Sequence, residues 1–119
     1  MNATYKKCCS CSCDARAICL QVLHQCLTKG GKYADAKLCT LLAECAQVCQ
    51  LCADCCSTSS KQSPAVAEAC AKICEETARV CDTMADSELA KCAQILRQCA
   101  KSCYELGAGS ESPAKKVAY

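Results

Sequence analysis

Apolar positions recur along this chain at intervals of three and four residues, in blocks separated by helix-breaking punctuation. That interval keeps side chains on one face of an α-helix. In the first block Cys19, Val22, Leu23 and Cys26 share a face. In the second, Leu38, Leu41, Leu42 and Val48 lie on or beside a stripe formed by Cys45, Cys49, Cys52 and Cys56. The third repeats the pattern with Cys70, Cys74 and Cys81, flanked by Val66, Ile73 and Met84. The fourth does so with Cys92, Cys99 and Cys103, flanked by Ile95, Leu96 and Leu106. Lys72, Glu75, Glu76, Arg79, Gln94, Arg97 and Lys101 occupy the opposite faces.

The pattern predicts four helices, over about 14–29, 35–56, 63–84 and 86–106. Gly30-Gly31 stops the first, whose start at Asp14 could lie further upstream within CCSCSC. The second dissolves into the polar linker STSSKQS. The third opens with Ser63 as N-cap and Pro64 at the first helical position. The fourth starts at Asp86 or Ser87 and ends at Leu106, with Gly107 just past it. Helix formers fill the interiors, and no alternating β-branched or aromatic run suggests a strand. Short connections between four helices predict an all-α, antiparallel up-down bundle with a cysteine-lined core. The expected division is a Cys-rich N-terminal segment (1–13), the bundle (14–106) and a flexible tail (107–119).

Composition changes the picture in one respect. The 119 residues suit one domain, but Leu, Ile, Val and Phe make up only roughly 15% of them. Large apolar side chains are too few to fill a core, whereas 18 cysteines are available. A formal net charge of +2 with interspersed signs, four Tyr and no Trp or Phe give no footing for nucleic acid or an anionic membrane. The opening MNATYKKCCSCSCDA lacks the apolar segment of an export signal, and no stretch approaches the roughly 20 apolar residues of a membrane span. A cytoplasmic location is expected, where thiols stay reduced and dense cysteine points to metal more than to disulfides.

Disulfides within a helix fit poorly. Side chains at i and i+4 have Cβ atoms about 5–6 Å apart, against about 3.5–4.5 Å in a disulfide. Cross-helix disulfides remain open to oxidation. A metal bridging two sulfurs relaxes the distance, and Cys-x-x-x-Cys pairs occur at 9/13, 45/49, 52/56, 70/74 and 99/103. Soft thiolates select Cu(I), zinc or iron–sulfur clusters. Cys49, Cys52 and Cys55 match the start of a ferredoxin run, but the terminating Cys-Pro is missing. Zinc takes four ligands, so 18 thiols would hold about four or five ions. Cu(I) accepts two or three thiolates and shares them between ions. Roughly one ion per thiolate leaves a buried lumen near neutral, which favours many Cu(I) ions per chain. All 18 cysteines are candidate ligands: Cys8, Cys9, Cys11, Cys13, Cys19, Cys26, Cys39, Cys45, Cys49, Cys52, Cys55, Cys56, Cys70, Cys74, Cys81, Cys92, Cys99 and Cys103. Met84 lies on the core face, and His24 points about 140° from Cys19, toward the surface.

On these residues the chain resembles the four-helix-bundle copper storage proteins, in their cytosolic branch. The resemblance rests on QVLHQCL, DAKLCTLLAECAQVCQLC, PAVAEACAKICEETARVCDTM and ELAKCAQILRQCAKSC, and spans about residues 13–106. It implies a lumen that stores Cu(I) through cysteine thiolates, within a homotetramer. Delivery by a copper chaperone is a further expectation. CCSCSC departs from the pattern: its four cysteines are expected either to cap one end of the tube or to bind copper loosely as an entry port. The alternative function is a metallothionein-like zinc or cadmium buffer. No catalytic role is expected, since no Ser/His/Asp set is apparent and no single cysteine stands out.

Overall fold

The computed structural model describes residues 2–110, which form four helices joined by short connections. Helix α1 spans Ala3–Lys29, α2 Ala36–Ser57, α3 Ser63–Asp82 and α4 Ser87–Ser110. A single 3₁₀ turn, Gly31–Ala34, links α1 to α2. The described residues contain no strand. Three of the four starts are capped by a side chain that accepts from an otherwise unpaired amide. Asn2 accepts from Tyr5 N (2.9 Å), Asp35 from Leu38 N (3.0 Å), and Asp86 from Glu88 N and Leu89 N (2.9 and 3.0 Å). Gly30 and Gly31 stop α1 as expected, both at positive φ (70° and 56°), where a Cβ would be strained.

The boundaries differ from the sequence expectation at four places. Helix α1 starts at Ala3, so CCSCSC is helix rather than a segment ahead of it. No glycine or proline interrupts that stretch, and the stripe of Cys8, Ser12, Ala15 and Cys19 is buried through it. At the start of α3, Gln62 takes the cap position with an α-helical backbone, and Ser63 is the first helical residue. Its hydroxyl is buried without a partner rather than capping. The far end of that helix is Asp82, two residues short of Met84. Helix α4 continues through Gly107 to Ser110, since one interior glycine costs only about 1 kcal/mol relative to alanine. The rest of the expected tail, 111–119, lies outside the described residues.

Each helix packs on two neighbours, in the ring order α1–α2–α3–α4. Neighbours run antiparallel: Cys8 meets Cys52 near one end of the α1–α2 pair, while Cys19 neighbours Cys45 further along it. Large core side chains are few and unevenly placed. Val22, Leu38, Leu42 and Leu89 gather at the end closed by the 3₁₀ turn, and Leu106 sits at the opposite end. Between them the core is cysteine and alanine, with Leu96 near the middle. Helix α2 reaches a mean hydropathy of 1.3, and by length and composition alone could cross a membrane, contrary to the expectation that no stretch comes near. Its five cysteines between 45 and 56 and its alanines account for much of that value, and the stripe of Cys45, Cys49, Cys52 and Cys56 is buried inside the bundle.

Asp86 does two jobs at the 3₁₀ end. Besides capping α4, it accepts from Tyr33 Oη (3.2 Å) and Lys29 Nζ (3.4 Å). The Lys29 ammonium also lies over the Tyr33 ring, 4.7 Å from its centre. The Leu89 amide, then Tyr33 and Lys29, holds the Asp86 carboxyl below its ordinary value. A carboxylate lowered on folding stabilises above its unfolded pKa, and that contribution is lost as pH falls through the folded value. Asp86→Ala is therefore expected to lower the thermal midpoint of the metal-free protein at pH 7, with the gap to wild type closing at acidic pH. Leu96→Ala is expected to cost about 2–5 kcal/mol in denaturant unfolding of the same form, because the cavity has no large neighbour to refill it.

Candidate metal centre

The helical stripes bring thirteen cysteines into the interior: Cys8, Cys19, Cys26, Cys45, Cys49, Cys52, Cys56, Cys70, Cys74, Cys81, Cys92, Cys99 and Cys103. All 18 are free thiols. Their sulfurs form a continuous series along the bundle axis. At the end holding the start of α1, Cys8 Sγ lies 3.6 Å from Cys52 and 3.7 Å from Cys103, and Cys52 lies 4.0 Å from Cys103. Cys103 touches Cys99 (3.9 Å) one turn along α4. In the centre Cys49 lies 3.7 Å from Cys70 and 3.8 Å from Cys74, while Cys45 lies 3.6 Å from Cys74. The series continues through Cys19, which neighbours Cys45 and Cys92, to Cys81, which neighbours Cys92.

Three groups converge closely enough to share an ion. The sulfurs of Cys49, Cys70, Cys74 and Cys99 lie within 4.8 Å of one another, as do those of Cys8, Cys52 and Cys56, and those of Cys52, Cys70 and Cys103. A disulfide needs about 2.05 Å. Two metal–thiolate bonds of about 2.3 Å reach across about 4.6 Å. The spacing thus suits bridging metal, and the thiols it would bridge are all unpaired. Cys52 belongs to two of these groups, so a thiolate there can link neighbouring ions.

The remaining five cysteines lie at the margins. Cys9, Cys11, Cys39 and Cys55 are half-buried and Cys13 is exposed. Cys9 faces α2, with Sγ 3.6 Å from Ala53 O and 3.4 Å from Ser57 Oγ. Cys11 faces α4 and accepts from Ser102 Oγ (3.3 Å). Cys39 donates to Tyr33 O (3.6 Å) under the 3₁₀ turn. Met84 is partly buried against the core, and His24 is exposed. The CCSCSC segment therefore divides: Cys8 joins the lumen, while Cys9, Cys11 and Cys13 flank it. Sequence reasoning also missed Ser12, whose buried hydroxyl lies 3.8 Å from Cys99 Sγ. The signal was present, because Cys8, Ser12, Ala15 and Cys19 extend the stripe of α1 upstream at the same three-and-four spacing.

Burial and mutual hydrogen bonding set how these thiols ionise. Cys19, Cys74 and Cys103 are pushed well up, chiefly by hydrogen bonds to Cys45, Cys45 and Cys52 respectively, with burial adding to each. Burial first, then the Cys52 charge, pushes Cys56 up to about 12. Cys92 falls to about 5 because Cys19 and Cys81 hydrogen-bond its thiolate. Cys45, Cys52 and Cys99 are lowered for the same reason, with Cys19, Cys103 and Cys103 the leading partners. Ten thiols shift up and four down. A thiol raised above its ordinary 9.0 keeps its proton in the folded chain after the unfolded chain has lost it. Its stabilisation is complete below pH 9 and drains away as pH rises further. The reduced, metal-free protein is expected to lose thermal stability above that pH, read by circular dichroism melting across a pH series.

Comparison with known proteins agrees with this geometry. The family model described as "Copper storage protein" matches residues 1–108. The crystal structure of a protein from Nitrosospira multiformis superposes with a TM-score of 0.86 at 29% identity, covering 92% of this chain and 100% of that one. No curated protein matches the sequence. With the family match running from the first residue through α1 and on into α4, over the whole thiol-lined bundle, this chain belongs to the copper storage protein family.

Proposed function

We propose that the protein stores and sequesters many Cu(I) ions in its sulfur-lined lumen. The observation that carries this reading is the series of thirteen buried free thiols, with sulfurs close enough for neighbouring sites to share them. The charge balance favours a monovalent ion. Each thiol that binds gives up one proton, and each Cu(I) restores one positive charge, so a lumen filled at about one ion per thiolate stays near neutral. Divalent zinc at four thiolates leaves two negative charges per site in the same dry interior. All 18 cysteines are proposed ligands, thirteen in the lumen and five at its margins.

A second reading has one observation behind it. Cys49, Cys70, Cys74 and Cys99 form a four-sulfur set of the size a tetrahedral zinc site needs, which keeps a zinc or cadmium buffer open. The store requires free thiols, and a reducing compartment maintains them, which favours the cytoplasm. Assembly into a homo-oligomer, a tetramer by resemblance, draws support from Leu20, Leu27 and Leu51, large apolar side chains left exposed on α1 and α2. Copper would arrive as a thiolate complex or from a chaperone. The arrangement supports binding and release rather than catalysis.

Anaerobic Cu(I) titration of the reduced protein against a competing chelator is expected to break at well over the roughly four or five ions that tetrahedral sites could hold. About one proton should be released per ion, so apparent affinity should weaken as pH falls. A break at about four or fewer would rule out the store. Circular dichroism separates the readings further: a storage bundle is helical before metal is added, whereas a metallothionein-type buffer gains order on zinc binding.

A further inference from the structure

Buried apolar side chains lie at both ends of the lumen. Val22, Leu38, Leu42 and Leu89 sit at the end beneath the 3₁₀ turn, and Leu106, only 1% exposed, at the other. Cys8, Cys52 and Cys56 are each 0% exposed. An incoming ion therefore needs thiols that begin at the surface and lead sideways between two helices. One seam has them. On α1, Cys13 and Cys9 are one turn apart on the flank facing α2, and the burial grades from exposed Cys13 through half-buried Cys9 to buried Cys56. Cys9 Sγ rests against Ala53 O and Ser57 Oγ, the residues that flank Cys56 on α2. Cys9 and Cys56 are near enough that the charge of Cys9 bears on Cys56, and Cys9 bears likewise on Cys13. Cys56 in turn lies within 4.8 Å of Cys8 and Cys52. The charge of half-buried Cys39 bears on buried Cys26, but none of the other marginal thiols is reached from an exposed one. Cys11 stands without a second thiol on the α4 seam, held by Ser102. Cys39 is half-buried, with its thiol turned to the Tyr33 carbonyl.

We infer that Cys13 and Cys9 form an outer two-thiolate Cu(I) site on the α1–α2 seam, which takes the ion from a small-molecule thiol complex and passes it inward to Cys56, Cys8 and Cys52. This rests on the Cu(I)-storage reading and adds its loading route. The exchange involves no change of oxidation state. Two copper–sulfur bonds to the donor thiolates break as two form to Cys13 and Cys9, and the two protein thiol protons leave on the departing thiols. In the second step Cys56 and Cys8 bind the ion and surrender their protons to Cys9 and Cys13, which are thereby restored. A pair at i and i+4 suits such a transit site. Two metal–thiolate bonds of about 2.3 Å each bridge it from one helix, with no further ligand to trap the ion.

The test is stopped-flow loading of the reduced protein with a Cu(I)–glutathione complex under nitrogen, alongside equilibrium capacity. In Cys9→Ser/Cys13→Ser, the initial rate is expected to fall on the order of tenfold, since exchange depends on thiol access, while capacity falls by no more than about the two ions that these thiolates themselves would hold. Cys13→Ser alone, at an exposed position that does not threaten folding, is expected to slow loading in the same direction; circular dichroism checks that both variants remain helical. A double variant that loads within about twofold of the wild-type rate would overturn the route. So would loss of several ions of capacity with helicity intact, which would make the pair storage ligands. Equal or greater slowing in Cys39→Ser would also overturn it, by moving entry to the opposite end. Low capacity in the wild type itself would instead sink the storage reading.

Discussion

Sulfur-to-sulfur contact across the bundle axis is the constraint from which the rest follows. A helix bundle is ordinarily spaced by Leu, Ile and Phe at its inner positions; here the inner positions are mostly Cys and Ala, and thiols from facing helices meet at 3.6–4.0 Å. Cysteine is small and polarisable, so it fills the axis as an apolar residue would while leaving a reactive atom on every turn. Stability and chemistry thus use the same side chains. Metal-free, the core is held by dispersion and by S–H hydrogen bonds, among them those that hold Cys45, Cys52, Cys92 and Cys99 below the ordinary thiol value. Losing the protons without gaining cations would place several charges in a dry interior, a state the fold cannot bear.

That dependence explains where the large side chains went. Val22, Leu38, Leu42 and Leu89 at one end, and Leu106 at the other, exclude water from the thiol column and fix the positions of the helix ends. The Asp86 cap, joined to Tyr33 and Lys29, ties the short 3₁₀ connection down over the first of these plugs. Surface charges contribute little beyond solubility: Glu68–Lys72 and Glu76–Arg79 are exposed pairs within one helix, of the kind worth at most about 0.5 kcal/mol.

The fold was legible because cysteine and leucine obey one period through three of the helices, so Cys45, Cys49, Cys52 and Cys56 could be assigned to a wall of the lumen before any coordinates. Helix α1 was read short. CCSCSC resembles a metal-binding loop when taken as a string, and its serines are poor evidence for a helix; only tertiary burial of Cys8 and Ser12 shows which face they belong to. Ser63 misled in the opposite way. Ser-Pro reads as a cap followed by a first turn, yet the chain approaches through Gln62 in helical conformation and leaves the hydroxyl enclosed. Which thiols converge on one ion was beyond the sequence altogether, because it depends on the registry of α2 against α3 and α4, and periodicity within a helix carries no information about registry between helices.

Ser12 and Ala15 interrupt the sulfur lining of α1 between Cys8 and Cys19, as Thr77 does on α3 and Leu96 on α4. At the level of Ser12, which lies against Cys99, the other three helices still present thiols: Cys49, Cys70, Cys74 and Cys99. Thiols at that level therefore come from three helices, and the fourth side is closed by a hydroxyl and a methyl group. The sulfur surface is lopsided there, and α1 contributes spacing where its partners contribute ligand atoms.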